Sequence, residues 1–212
     1  DRMDGILLLE KQKETNHYQI QPLPINSGVF CLKKDRFQDV VWIGTDGQGV
    51  YLYSNPLYSI KSMVLSNYTE KIERPVRAIY LDDERTFWVG TKGNGILKIY
   101  DYEFDKNISD CRAEVLTTSN SALSSNAVYC FAKSHRNLLW IGDEEGLTYY
   151  SYREKRIKSI PIRMGNEDFK YIHDIYETAD SELWLASVGM GVVKARIAGT
   201  PDNPVIVDAQ RY

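Results

Sequence analysis

From Val29 onward, apolar residues come in short β-rich runs separated by polar punctuation, and the cycle repeats four times. Each cycle opens on one such run: Val29 to Lys33, Val76 to Leu81, Val128 to Ala132 or Ile172 to Tyr176. The polar stretches DRFQD, DDER, SHRN and TADSE follow, as a hairpin turn requires. A run bearing tryptophan comes next: VVWIGT, TFWVGT, LLWIGD and ELWLAS. Glycines then reverse the chain, since tight hairpins need residues at positive φ. The third runs are Val50 to Tyr53, Ile96 to Tyr100, Leu147 to Tyr150 and Val192 to Arg196. Variable fourth runs close each cycle, near Ser59 to Leu65, Ala113 to Thr118, Ile157 to Ile162 and Val205 to Ala209.

Trp42, Trp88, Trp140 and Trp184 are all the tryptophans of the chain and stand 46, 52 and 44 residues apart, the period of four-stranded propeller blades. Alternation places Trp42 and Gly44 on one face of their strand and Val41, Ile43 and Thr45 on the other. Because both faces are apolar, each sheet must be covered on both sides, which suits small sheets stacked radially better than a two-layer sandwich. A small residue (Gly44, Gly90, Gly142, Ala186) is read as leaving room beside each indole. The expected fold is all-β: a propeller of four-stranded antiparallel blades with the four tryptophans as its structural repeat. Residues 1–25, where GILLLEK and YQIQPL read as two strands, form the outer half of a blade, and 26–70, 71–120, 121–166 and 167–212 form one blade each. About four and a half blades are therefore expected, a fragment of a larger ring.

Composition narrows the chemistry. The 212 residues are 43% apolar, enough for a buried core, and the longest apolar run, Ile6 to Leu9, is too short to span a bilayer. The formal charge of −3 comes without a basic stripe, so neither nucleic acid binding nor membrane contact by this segment is expected. Cys31, Cys111 and Cys130 form an odd set, and Cys31 and Cys130 share a repeat position held elsewhere by Ala78 and Asp174, a small buried site. The phrases GQG, GNG and GMG sit between strands and read as hairpin turns, not phosphate loops. His17, His135 and His173 fall in different cycles, so neither a metal nor another cofactor is expected. The acidic clusters at 82–84 and 143–145 lie in turns, and no catalytic residue is assigned.

LSSNAVYCFAKSHRNLLWIGDEEGLTYY, from Leu123 to Tyr150, resembles the two-component regulator propeller repeat, and the other cycles match its V-x-x-I…LWIGT-x-G-x-G-L frame. Ala186 and Ser187 depart from its Gly-Thr, and the third copy lacks one residue of the glycine turn. The resemblance implies a seven-bladed periplasmic sensor region of a bacterial hybrid two-component system, recognising an oligosaccharide and signalling to a histidine kinase outside this chain. It implies as further partners the remaining blades and C-terminal domains of the same polypeptide, and a homodimer. A protein-interaction scaffold and a propeller glycan hydrolase or lyase stand as alternatives.

Ligands of propellers meet loops at one end and residues near the central channel. The second position of each inner strand is Phe30, Arg77, Tyr129 or His173, chemically unlike one another while their flanking positions stay alike. With Arg74, Asn126 and Tyr171 just upstream, these are the candidate ligand-binding residues: stacking platforms, hydrogen-bond donors, and an arginine able to pair an acidic substituent. Ordinary surface variation is the competing account of each.

Overall fold

The computed structural model describes residues 5–11, 17–54, 59–63, 72–102 and 111–212, and every element in them is a strand. An antiparallel ribbon of β1 (Leu7–Lys11) and β2 (Tyr18–Pro22) comes first. Four sheets follow, each pairing four antiparallel strands in chain order. The first holds β3 (Val29–Lys34), β4 (Val40–Thr45), β5 (Val50–Ser54) and β6 (Ser59–Met63). The second holds β7 (Val76–Leu81), β8 (Phe87–Thr91), β9 (Ile96–Ile99) and β10 (Ala113–Leu116). The third holds β11 (Val128–Lys133), β12 (Leu138–Asp143), β13 (Leu147–Ser151) and β14 (Arg156–Ile160). A two-residue pair, β15 (Arg163–Met164) and β16 (Glu167–Asp168), precedes the fourth sheet of β17 (Ile172–Glu177), β18 (Glu182–Ser187), β19 (Gly191–Thr200) and β20 (Asn203–Arg211). The four sheets and opening ribbon match the expected blades and half-blade; Val64 and Leu65, expected to end the outer strand of the first blade, lie outside the described residues.

Three hydrophobic clusters occupy the three spaces between consecutive blades. Trp42 lies against Phe87 and Tyr102 of the second blade, with ring centroids 4.2 and 5.0 Å apart. Trp88 meets Tyr150 of the third at 4.8 Å. Trp140 packs in one cluster with Leu183 and Leu185 of the fourth. These three indoles are fully buried; each removes roughly 200 Å² from water, about 5 kcal/mol as an upper bound. Alternation divides β8 between two cores: Phe87 and Val89 face the first blade while Trp88 faces the third. Trp184 is half-buried beside Tyr212 of its own blade.

The small residue two places after each tryptophan makes room for something other than the indole. A Cβ on Gly44 would stand 2.5 Å from Cys31 Sγ and 3.1 Å from Val76 of the next blade. On Gly142 it would stand 2.5 Å from Cys130 Sγ and 2.6 Å from the Ile172 carbonyl of the next blade. Glycine is needed there because a neighbouring inner strand comes too close for a side chain. Ala186 holds this position in the fourth blade, whose far face no further blade covers among the described residues.

The fourth blade's outer hairpin is longer than its sequence suggests. β19 and β20 run to 10 and 9 residues, bulge between Arg196 and Ile197, and carry a tip that returns to the third blade. There the Tyr149 hydroxyl donates to the Asp202 carbonyl at 3.3 Å, Arg153 pairs with Asp202 at 2.6 Å, and Lys158 donates to Asn203 Oδ1 at 2.6 Å.

A candidate ligand pocket where the inner strands meet

Each inner strand carries the same irregularity. In β3 the register passes from Val29↔Thr45 to Cys31↔Gly44, leaving Phe30 without a partner. The same skip isolates Arg77 in β7, Tyr129 in β11 and His173 in β17. A β-bulge re-aims the residue it extrudes and shifts its flanks by one step of alternation. Val76 therefore packs toward Gly44 of the preceding blade while Ala78, two residues on, packs toward Gly90 on the other side. The extruded residue belongs to neither blade interface and faces the space where the blades converge.

Phe30, Arg77, Tyr129 and His173 line one cavity of about 610 Å³, together with Tyr171, Lys92 and Val188. The Tyr129 and His173 rings stack at 4.1 Å and 18°. The Arg77 guanidinium lies 3.7 Å above the Phe30 ring, and its buried Nε has no hydrogen-bond partner among the described residues. Tyr171 is held at φ 56°, a left-handed conformation disfavoured for a bulky side chain and common where a binding site fixes the backbone. Its amide donates to the Glu144 carbonyl of the preceding blade, and its own carbonyl accepts from Val188.

Arg77 and Lys92 place two positive charges on the described cavity wall. Burial depresses the His173 pKa below its ordinary 6.5, and the charges of Arg77 and Lys92 push it the same way. Tyr129 is raised above the usual tyrosine range, mainly by burial and then by Glu144. Among the described residues no carboxylate lines the cavity.

Five of the seven residues singled out from the sequence thus share one cavity, and two do not. The Asn126 carbonyl accepts from the amides of Gly93 and Gly95, and its Oδ1 accepts from the Thr118 amide, so it ties the second blade to the third. Arg74 lies along Gly93, beside the Lys92 turn but outside the lining. Lys92 and Val188 were not anticipated. They share a turn position with Asp46 and Glu144, four residues after each tryptophan, and all four amides donate to the carbonyl just ahead of their own inner strand. Four unlike side chains at one otherwise regular position were the signal available.

The acidic clusters are turn structures. Asp82 accepts the amides of Glu84 and Thr86 and the Trp88 indole N–H. Asp143 is fully buried, with its pKa raised by burial, and accepts from Ser124 and the amides of Glu145 and Gly146. The Cys31 and Cys130 thiols are not joined in a disulfide; burial raises Cys31 to about 12 and raises Cys130 as well.

No family model matches the sequence. A stretch of 140 residues is 31% identical to translation initiation factor 6 of Saccharolobus solfataricus, covering 60% of this chain and 57% of that protein. Among solved structures, the extracellular domain of a hybrid two-component system from B. thetaiotaomicron superposes with a TM-score of 0.65 at 23% identity, over 99% of this chain and 27% of that one. PorZ, a surface component of the type-IX secretion system of Porphyromonas gingivalis, gives 0.61 at 14% identity, over 88% of this chain and 28% of that one. The β-propeller domain of Cps50 (Swd1) from Myceliophteria thermophila gives 0.63 at 13% identity, over all of this chain and 68% of that one. The chain spans about a quarter of the first of these structures and has, with all three, one fold: it is an arc of β-propeller blades.

Proposed function

We propose that this arc is the ligand-binding part of an extracytoplasmic sensor, which takes an oligosaccharide into the pocket at Phe30, Arg77, Tyr129, Tyr171 and His173 and signals to a histidine kinase elsewhere in the polypeptide. The observation that carries the reading is the set of four bulges: each of four blades gives up one ladder position to send a side chain into the same cavity. Flat aromatic surfaces beside a few polar groups suit a sugar ring, which has an apolar face and a hydroxylated rim. A ligand touching four blades favours whichever inter-blade arrangement holds it best, and such differential affinity is what a signalling equilibrium requires. The likeness to the extracellular domain of a hybrid two-component system supports a sensory role outside the cytoplasm; on this reading the setting is the periplasm, and the partners are further blades, C-terminal domains and a second copy.

A non-catalytic role is favoured because the carboxylates of Asp82 and Asp143 are occupied by turn donors. The likeness to PorZ, a secretion-system component, keeps a scaffold as the second reading. Calorimetric titration of the intact protein with a panel of glycan fragments, with product analysis, separates them. Saturable heat without turnover supports the sensor, product formation an enzyme, and silence across the panel the scaffold.

A further inference from the structure

Resting on that saccharide-binding reading, we infer that the pocket selects an acidic saccharide, its anionic group held between Arg77 and Lys92 while its ring stacks on the neighbouring aromatics. Among the described residues two cations line the cavity and no carboxylate does. Neither makes an ion pair among the described residues, although surface cations nearby do: Lys133 and Arg36 share Asp83, and Lys170 pairs with Glu145. The Arg77 guanidinium lies over the Phe30 ring, 3.7 Å from its centroid, a contact that leaves the N–H edge of the group to a ligand, and its buried Nε is left without a partner among the described residues. That edge matches the two oxygens of a carboxylate or sulfate and is poorly used by a neutral hydroxyl. His173, stacked on Tyr129, responds to the same field: both cations disfavour its protonation. An anion arriving between them removes an unfavourable arrangement that the empty site retains.

The aromatic lining distinguishes a saccharide from a bare anion. Phe30, Tyr129, Tyr171 and His173 offer ring faces that inorganic phosphate cannot use, and about 610 Å³ lies within the range of small-molecule pockets.

The test is calorimetry on the intact protein with uronic-acid oligosaccharides, their carboxyl-reduced neutral counterparts, sulfated oligosaccharides and inorganic phosphate. An acidic oligosaccharide is expected to bind at least about tenfold more tightly than its neutral counterpart, and Arg77→Gln to lower its affinity by a similar factor. Lys92 is exposed, so Lys92→Gln leaves the fold intact and is expected to weaken the same ligand while sparing neutral ones. Whether carboxylated or sulfated sugars respond identifies the anion. Equal affinity for neutral and acidic forms, unaffected by either substitution, overturns the inference and leaves the saccharide site standing. Phosphate binding as tightly as any sugar overturns it by making the rings irrelevant. Silence to every saccharide fails the underlying reading as well.

Discussion

The Trp140 indole N–H donates to Glu177 Oε2 at 2.6 Å, across the boundary between the third and fourth blades. In the first two blades the indole finds its acceptor at home: Trp42 on Asp35 and Trp88 on Asp82, each at 2.9 Å and each carboxylate also bonded to amides of its own turn. The third blade has Ser134 at that turn, and Glu177 of its neighbour replaces the missing carboxylate, accepting the His135 amide as well. One serine has turned a bond within a blade into a bond between blades. Glu177→Leu is expected to leave the buried Trp140 indole N–H unsatisfied, with the partly buried His135 amide, and cost about 1–3 kcal/mol in thermal or urea denaturation, with Glu177→Gln costing less. Equal effects of the two would deny the bond its role.

The glycines beside the tryptophans make a second, sharper prediction. Gly44→Ala collides chiefly with the Cys31 thiol, and Cys31→Ala in the same chain is expected to recover most of the lost stability. Gly142→Ala also meets the Ile172 carbonyl at 2.6 Å, so Cys130→Ala is not expected to rescue it. Each glycine substitution alone should cost about 1–3 kcal/mol. Equal rescue at both sites in denaturation experiments would contradict the close approach described.

His173 titration gives a third. Its pKa is held below 6.5, so the folded protein binds fewer protons here than the unfolded chain, and this residue's contribution to stability falls as pH drops below about 6.5. An anion in the pocket acts in the opposite direction and raises the pKa, so acidic ligands are expected to bind more tightly as pH falls through that region. The groups facing the imidazole are Arg77, Lys92, Tyr129 and Tyr171. NMR titration of the His173 ring, free and ligand-bound, reads both effects; a pKa at or above 6.5 in the free protein would refute the positive field.

Thiol chemistry supplies a fourth. With Cys31 raised to about 12, Cys130 raised as well and Cys111 buried, the folded protein should react slowly with thiol reagents at pH 8 and quickly once denatured. Fast labelling of the native protein would show that these blade interfaces open.

The blades were legible because their causes are local: alternation, turn chemistry and an indole repeated at blade spacing. What escaped is what one blade does to the next. The glycine at 44 or 142 reads equally well as space beside its own tryptophan, and only the approach of Val76 or Ile172 shows what the space is for. A bulge leaves no mark on a period-2 pattern as short as VRAIYL, so Arg77 could be noticed as variable but not seen to be extruded. Asn126 precedes its inner strand by two residues and Tyr171 by one; the Asn126 carbonyl is occupied by the preceding blade's turn while Tyr171 is turned into the cavity. Lys92 belonged to the same turn that identified the repeat, and its regular neighbours concealed its irregular side chain.

The proposed role of the pocket as a sugar site is tested most directly by Tyr129→Ala, which removes half of the Tyr129–His173 stack from a partly exposed position. Measured by calorimetry against the tightest-binding oligosaccharide of the panel, with melting temperature as control, affinity should fall about tenfold or more while the fold persists. Unchanged affinity in a folded Tyr129→Ala protein would contradict the account.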